Sequence, residues 1–162
     1  MEAVTVNDVE IQTVKRCRKG KRSALKVQSI MWQRARATGE PFRNGGDFYN
    51  VYKEIGQMDR EVFVAVTLDQ KNRAIGTYLV SMGTLTASLV HPREAFRAAV
   101  MDGAARVAFI HNHPSGNPQP SEQDRQLTRG LVEAGKILGI GVMEHVIVAD
   151  GCYLSMAERE ML

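Results

Sequence analysis

His111-Asn112-His113-Pro114-Ser115-Gly116-Asn117-Pro118-Gln119-Pro120-Ser121-Glu122-Gln123-Asp124 carries two imidazoles, a stiff loop and a helix start in one short run. The residues before it, Arg106-Val107-Ala108-Phe109-Ile110, are apolar and rich in strand formers. They read as a buried strand that delivers His111 and His113 at its end. Side chains at i and i+2 of a strand point the same way, so both imidazoles face one spot. Pro114, Gly116, Pro118 and Pro120 can continue neither sheet nor helix, so the chain turns here. Ser121 then reads as an N-cap ahead of an apolar stripe of Leu127, Leu131, Ala134 and Leu138, which puts Asp124 in the first turn of that helix. A loop of this length can fold Asp124 back beside the histidines. Two His and one carboxylate leave a coordination position open, the arrangement of a catalytic zinc rather than a closed structural one.

His-x-His, seven residues, then Ser-x-x-Asp resembles the JAMM motif of the JAB/MPN metallo-isopeptidases, and His-Asn-His-Pro-Ser-Gly with Pro-Ser-x-x-Asp resembles their RadC-like branch. The similarity continues in Asp59-Arg60-Glu61-Val62-Phe63, Leu68-Asp69-Gln70-Lys71-Asn72-Arg73, Gly83-Thr84-Leu85, His91-Pro92-Arg93-Glu94-Ala95-Phe96 and Gly151-Cys152-Tyr153-Leu154-Ser155-Met156-Ala157-Glu158-Arg159. It covers residues 46 to 162. Taken alone, a His pair at i, i+2 is a polar strand end, and Ser121 with Asp124 is a helix cap with a favourable dipole contact. All four at this spacing, together with the flanking strings, go beyond those readings.

The resemblance implies a JAB/MPN-like (cytidine-deaminase-like) fold and a zinc-dependent metallopeptidase or isopeptidase. Zn2+ held by His111, His113 and Asp124 would lower the pKa of a water from 15.7 toward roughly 7. In that family a glutamate on the first core strand takes the water's proton and returns it to the leaving amine. The resemblance puts Glu61 there, with Glu54 on the preceding helix and Glu94 behind a helix-starting proline as rivals. A lone acid opening a buried strand needs a polar partner, which favours Glu61. Ser121 either caps its helix or, as the resemblance implies, also hydrogen-bonds the oxyanion of a tetrahedral intermediate. Ser115 reads as a loop hydroxyl, since no acid-oriented histidine is left to activate it. His145, beside Glu144 and ahead of Val146-Ile147-Val148, reads as a satisfied strand histidine, and His91 as a cap or packing residue.

At 162 residues and 44% apolar content, the chain suits one well-packed core. No apolar run approaches a membrane span and Met1-Glu2-Ala3 opens no signal peptide, so a cytoplasmic location is expected. Cys17 and Cys152 form neither a disulfide framework nor a Cys-x-x-Cys pair. The net charge of +3 hides an asymmetry. Residues 1 to 45 hold ten Lys/Arg against four Asp/Glu, whereas residues 46 to 162 hold eleven against fourteen. Lys15, Arg16, Arg18, Lys19, Lys21, Arg22, Lys26, Arg34 and Arg36 come without an intervening acid. Such a run is either a solvated face or a weak, non-specific nucleic-acid contact through Lys15 to Arg36, and no base-reading motif accompanies it. The chain thus divides into a basic N-terminal segment, 1–45, and a metallohydrolase domain, 46–162.

In order, a strand is expected from Val4 to Val14 and a helix from Ser23 to Thr38. Asn44-Gly45-Gly46-Asp47 then reads as a flexible joint, with Asp47 capping a short helix that bears Phe48, Val51, Tyr52 and Ile55. Val62 to Leu68 and Ala74 to Met82 form a hairpin, followed by a strand from Thr84 to Val90 and a helix from Pro92 to Met101. After the metal strand and its helix come a strand from Gly141 to Val148, a turn at Asp150-Gly151, a short strand, and a closing helix capped by Ser155. Strands and helices mix without a βαβ repeat, which indicates α+β with a mostly antiparallel central sheet flanked by helices. Two rivals to a zinc-dependent peptidase stand beside it. One is a DNA-repair-associated DNA-binding protein or metal-dependent nuclease, disfavoured because only one carboxylate accompanies the histidines. The other is a non-catalytic scaffold, a class that typically loses the His-x-His-to-Asp set. No substrate or oligomeric state is legible.

Overall fold

The computed structural model describes residues 4–6, 9–11, 39–83 and 90–162. The run expected as one strand from Val4 to Val14 is instead two, β1 (Val4–Val6) and β2 (Val9–Ile11), paired antiparallel with Val4 opposite Ile11. Residues 12–14, the basic run from Lys15 to Arg36, the helix expected over 23–38 and most of the strand expected from Thr84 to Val90 lie outside the described residues.

Helix α1 (Gly45–Tyr52) passes into a 3-10 turn (Lys53–Gln57), and the hairpin β3 (Val62–Leu68) and β4 (Ala74–Met82) follows. Then come α2 (Pro92–Asp102), β5 (Arg106–Asn112), α3 (Glu122–Leu138), β6 (Gly141–Ala149) and β7 (Cys152–Ser155). The five strands form one sheet in the order β4-β3-β5-β6-β7, antiparallel except for the parallel pair β5/β6. The architecture is α+β, as expected.

Both faces of the sheet are covered, which is why the central strands are continuously apolar rather than alternating. Every residue of β3 is buried. On one face Phe63, Ala65, Val107 and Phe109 pack under α2 and α3 through Ala95, Phe96, Ala99 and Leu131. On the other, Val62, Val64, Ala108, Ile110, Val146 and Val148 pack under Phe48, Tyr52 and Ile55. The strand period of two therefore sends His111, two residues after Phe109, to the α3 face and Asn112, two after Ile110, to the α1 face.

Four local expectations are corrected. Asn44 caps α1, its side chain accepting from the Asp47 N–H at 3.0 Å, while Asp47 lies in the first turn. Gly45 and Gly46 are the start of that helix rather than a flexible joint, because a Cβ at Gly45 would stand 2.5 Å from the Ser155 Cβ. No helix closes the chain after β7. Residues 156–160 are turns, with Glu160 at φ 56 and the Ser155 hydroxyl accepting from Glu158 N–H at 3.0 Å while donating to buried Glu144. Of the expected α3 stripe, Leu127, Leu131 and Ala134 pack on the core but Leu138 is 48% exposed, and the buried positions are Asp124, Thr128, Leu131 and Gly135. Its first two turns bury polar side chains. Gly135 takes the place that Leu138 was expected to share, because a Cβ there would meet the Ile140 carbonyl at 2.5 Å.

Candidate metal centre

The parallel pairing of β5 and β6 runs past the strand end, where His113 N–H donates to the Val148 carbonyl at 2.9 Å. His113 is thereby held in strand-like register two residues after His111, and the two imidazoles face the same way. The chain then turns, with Gly116 N–H bonded to the His113 carbonyl at 3.1 Å and Gly116 in the left-handed region at φ 80. Asn117 supplies two further fixings: its carbonyl lies 2.8 Å from His113 Nδ1 and its side chain accepts from Gln119 N–H at 3.0 Å. A carbonyl only accepts, so His113 carries a proton on Nδ1, and whenever the ring is neutral it presents a bare Nε2 to the cluster.

Ser121 caps α3 in a reciprocal capping box with Asp124. Its N–H and hydroxyl both donate to Asp124 Oδ2, at 2.7 and 2.6 Å, and its oxygen accepts from Asp124 N–H at 3.2 Å. The carboxylate is thus locked in direction with Oδ1 left over. Asp124 Oδ1 lies 3.3 Å from His111 Nε2, Asp124 Oδ2 lies 3.5 Å from His113 Nε2, and the two Nε2 atoms are 3.1 Å apart. Ligand atoms about 2.0–2.1 Å from a tetrahedral zinc would stand roughly 3.3–3.4 Å from one another. The donor set, its spacing and its burial therefore fit a metal ion, and His111, His113 and Asp124 can hold one.

Burial pushes the Asp124 pKa up, but hydrogen bonding to His111 and His113, the His111 charge and the Ser121 hydroxyl outweigh it and hold the group well below the carboxylate range. His113 is raised above the ordinary imidazole value, chiefly by its bond to Asp124 and against burial, with the Asn117 carbonyl and the charges of Asp124 and Glu61 adding to the rise. Glu61 thus lies within electrostatic reach of the cluster, immediately before β3. Glu54 belongs to the 3-10 turn whose Ile55 packs on the opposite face from His111, and Glu94 pairs with Arg93 and Arg97 on the exposed side of α2. His91 stands at the N-cap of α2 without a side-chain cap bond.

Three residues of the surroundings were not expected in it. Asn112, between the two histidines and fully buried, accepts from Val62 N–H at 2.7 Å and donates to the Arg60 carbonyl at 3.1 Å. It clamps the chain on both sides of Glu61. His145 and Thr128 lie behind His111, both fully buried, with His145 Nε2 2.8 Å from His111 Nδ1 and His145 Nδ1 2.7 Å from the Thr128 hydroxyl. Burial and the neighbouring His111 charge hold the His145 pKa well below its ordinary value. The rings of Phe63 and Phe109 stand edge-on to His145, 5.4 and 6.2 Å away.

Among the described residues, no helix is long and apolar enough to cross a membrane. The profile of the RadC-like JAB domain matches residues 42–161. A UPF0758 protein of Trichlorobacter lovleyi is 41% identical over 94% of this chain and 69% of its own length. One from Syntrophotalea carbinolica is 36% identical over 99% of the chain and 73% of its own. For the UPF0758 protein of Methanosarcina mazei the figures are 44% identity, 70% of the chain and half of the relative's length.

Proposed function

The chain belongs to the RadC-like JAB domain family, and on that premise we propose that it is a zinc-dependent hydrolase that cleaves an amide or isopeptide bond with an activated water. The observation that carries this reading is the convergence of two imidazole nitrogens and one carboxylate at mutual distances of 3.1 to 3.5 Å on a buried floor. An ion held there supplies Lewis acidity, the means by which a water loses its proton near neutral pH.

The rest falls to the chain's own side chains. Glu61, half-buried and close enough to raise the His113 pKa, takes the proton of the attacking water and returns it to the leaving amine. Asn112 holds that segment in place by bonding the backbone before and after it. The Ser121 hydroxyl is committed to Asp124 at 2.6 Å, so stabilising an oxyanion requires it to exchange that bond for the substrate oxygen. The competing nucleic-acid reading rests on Lys15 to Arg36, outside the described residues, and no feature of the site favours it.

The test is elemental analysis of purified protein beside a screen of peptide and isopeptide substrates. One zinc per chain, with hydrolysis abolished by a chelator and restored by zinc, supports the proposal. A chain that retains no divalent metal defeats it.

A further inference from the structure

A buried chain of hydrogen bonds runs from the backbone of α3 to the imidazole of His111, and its proton order follows from its ends. The Thr128 hydroxyl lies 2.6 Å from the Asp124 carbonyl oxygen and 2.7 Å from His145 Nδ1. A carbonyl cannot donate, so the one hydroxyl proton goes to Asp124 O; the reverse order would press two oxygen lone pairs together at 2.6 Å. The Met156 sulfur, 3.4 Å away, is too weak an acceptor to compete. Thr128 therefore offers His145 Nδ1 only lone pairs, and that nitrogen carries the ring proton. A neutral imidazole has a single N–H, so His145 Nε2 accepts, and the atom facing it at 2.8 Å, His111 Nδ1, donates. Held as a neutral ligand, His111 then has its one proton on Nδ1, and the consequence at the end of the chain is a bare Nε2, 3.1 Å from His113 Nε2 and 3.3 Å from Asp124 Oδ1.

Resting on the metal reading above, we propose that His145, with Thr128 behind it, is a positioning residue that fixes the tautomer and ring direction of His111 so that its Nε2 lone pair faces the ion. The arrangement ties together the three elements that must agree. Thr128 stands one turn after Asp124 in α3, His145 lies in β6, and His111 lies in β5. Full burial of His111, Thr128 and His145 removes water as an alternative partner, so a lost acceptor is not replaced. Partners that orient a ligating histidine typically govern metal affinity by about 10–100-fold.

The experiment measures zinc affinity by competition with a chromogenic chelator for the wild type, His145→Phe and Thr128→Val, and reads the His145 tautomer in the zinc-loaded wild type by long-range 1H–15N NMR. The phenylalanine fills a comparable space beside Phe63 and Phe109 but leaves His111 Nδ1–H without an acceptor. Zinc affinity is expected to fall by about 10–100-fold in His145→Phe and by less in Thr128→Val, with wild-type His145 protonated on Nδ1. Undiminished affinity in both folded variants, or a wild-type His145 protonated on Nε2, overturns the proposal. Should His145→Phe fail to fold, Thr128→Val decides: weakened zinc binding with mixed His145 tautomers supports the proposal, and unchanged affinity with an unchanged tautomer overturns it. Failure of the wild type to bind zinc at all is a different result and removes the metal reading itself.

Discussion

Asp124 and Glu144 are both buried carboxylates, 7% and 3% exposed, yet their surroundings drive them in opposite directions. Burial raises both pKa values, because it penalises the charged form wherever it occurs. At Asp124 the facing groups are imidazoles, and their bonds and charge overcome burial. At Glu144, on the α1 side of the sheet, burial wins. Hydrogen bonds from the Ser155 hydroxyl at 2.7 Å, Ala157 N–H at 3.2 Å and His145 N–H at 2.8 Å offset only part of it, and the charge of Glu158 adds to the rise. What separates a candidate metal ligand from a structural acid in this fold is therefore the partner each meets, not its depth. Glu144 fastens the last turns to β6 and stands beside the first turn of α1, where a Cβ on Gly45 would approach its Oε2 to 3.3 Å.

Replacing each acid by its amide separates these roles. Asp124→Asn keeps the shape and the capping contact but removes the anion that faces two imidazoles. Bound metal is expected to drop from stoichiometric to background by elemental analysis, with a native circular dichroism spectrum. Metal retained at the wild-type level would remove Asp124 from the ligand set and leave the two carboxylates without a functional distinction.

Glu61→Gln tests a third acid, half-buried and near the cluster. Turnover is expected to fall by about two to four orders of magnitude while metal content stays unchanged, since only the proton acceptor is lost. Steady-state kinetics on the substrate found by screening checks this. An active Glu61→Gln enzyme would transfer the acceptor role to another group and limit the comparison to the two buried acids.

The candidate site was legible because it is local: His111, His113, Ser121 and Asp124 fall within one strand, one loop and one helical turn, where period and capping rules suffice. The central hairpin, α2 and β6 were legible for the same reason. The supporting residues were not, because each depends on pairing between distant segments. His145 meets His111 only through the parallel register of β5 and β6, which sets Phe109 opposite His145 across 34 or more residues of intervening chain. Asn112 clamps residues 60 and 62 from 50 positions away. Thr128 was not singled out in the sequence, although a threonine one turn after a candidate ligand could have suggested a second function. Gly45 and Gly46 read as a joint because close approach to Ser155 is invisible without the fold.

Asn112→Leu addresses the α1 face directly. It fills the space but leaves a buried Val62 N–H and the Arg60 carbonyl without their side-chain partner. A loss of about 1–3 kcal/mol in urea unfolding is expected, the usual cost of one unsatisfied buried group. Turnover should fall as well, with metal content unchanged, because the clamp holds the segment of Glu61 and not the ligands. An equally stable and active variant would show that the strand end holds Glu61 without it.

Glu144→Gln is expected to have the smallest effect, and its sign tests the comparison most sharply. A carboxyl whose folded pKa lies above its ordinary value of 4.5 binds its proton more tightly in the native state. Below that ordinary value both states are protonated and the group contributes no pH dependence. As pH rises past it the unfolded chain ionises first, so stability falls until the raised folded value has been passed, and the penalty then stays constant. Glutamine accepts from His145 and Ala157 as before, can donate to Ser155, and has no charge to desolvate. The stability difference, variant minus wild type, should therefore grow with pH above 4.5 and level off, as measured by urea midpoints of both proteins in excess chelator so that no ion adds its own pH dependence. Metal content and turnover should match the wild type at every pH where both are folded. A difference that shrinks with rising pH would mean that Glu144 is stabilised as an anion by its three donors, and the two buried acids would then differ in position alone.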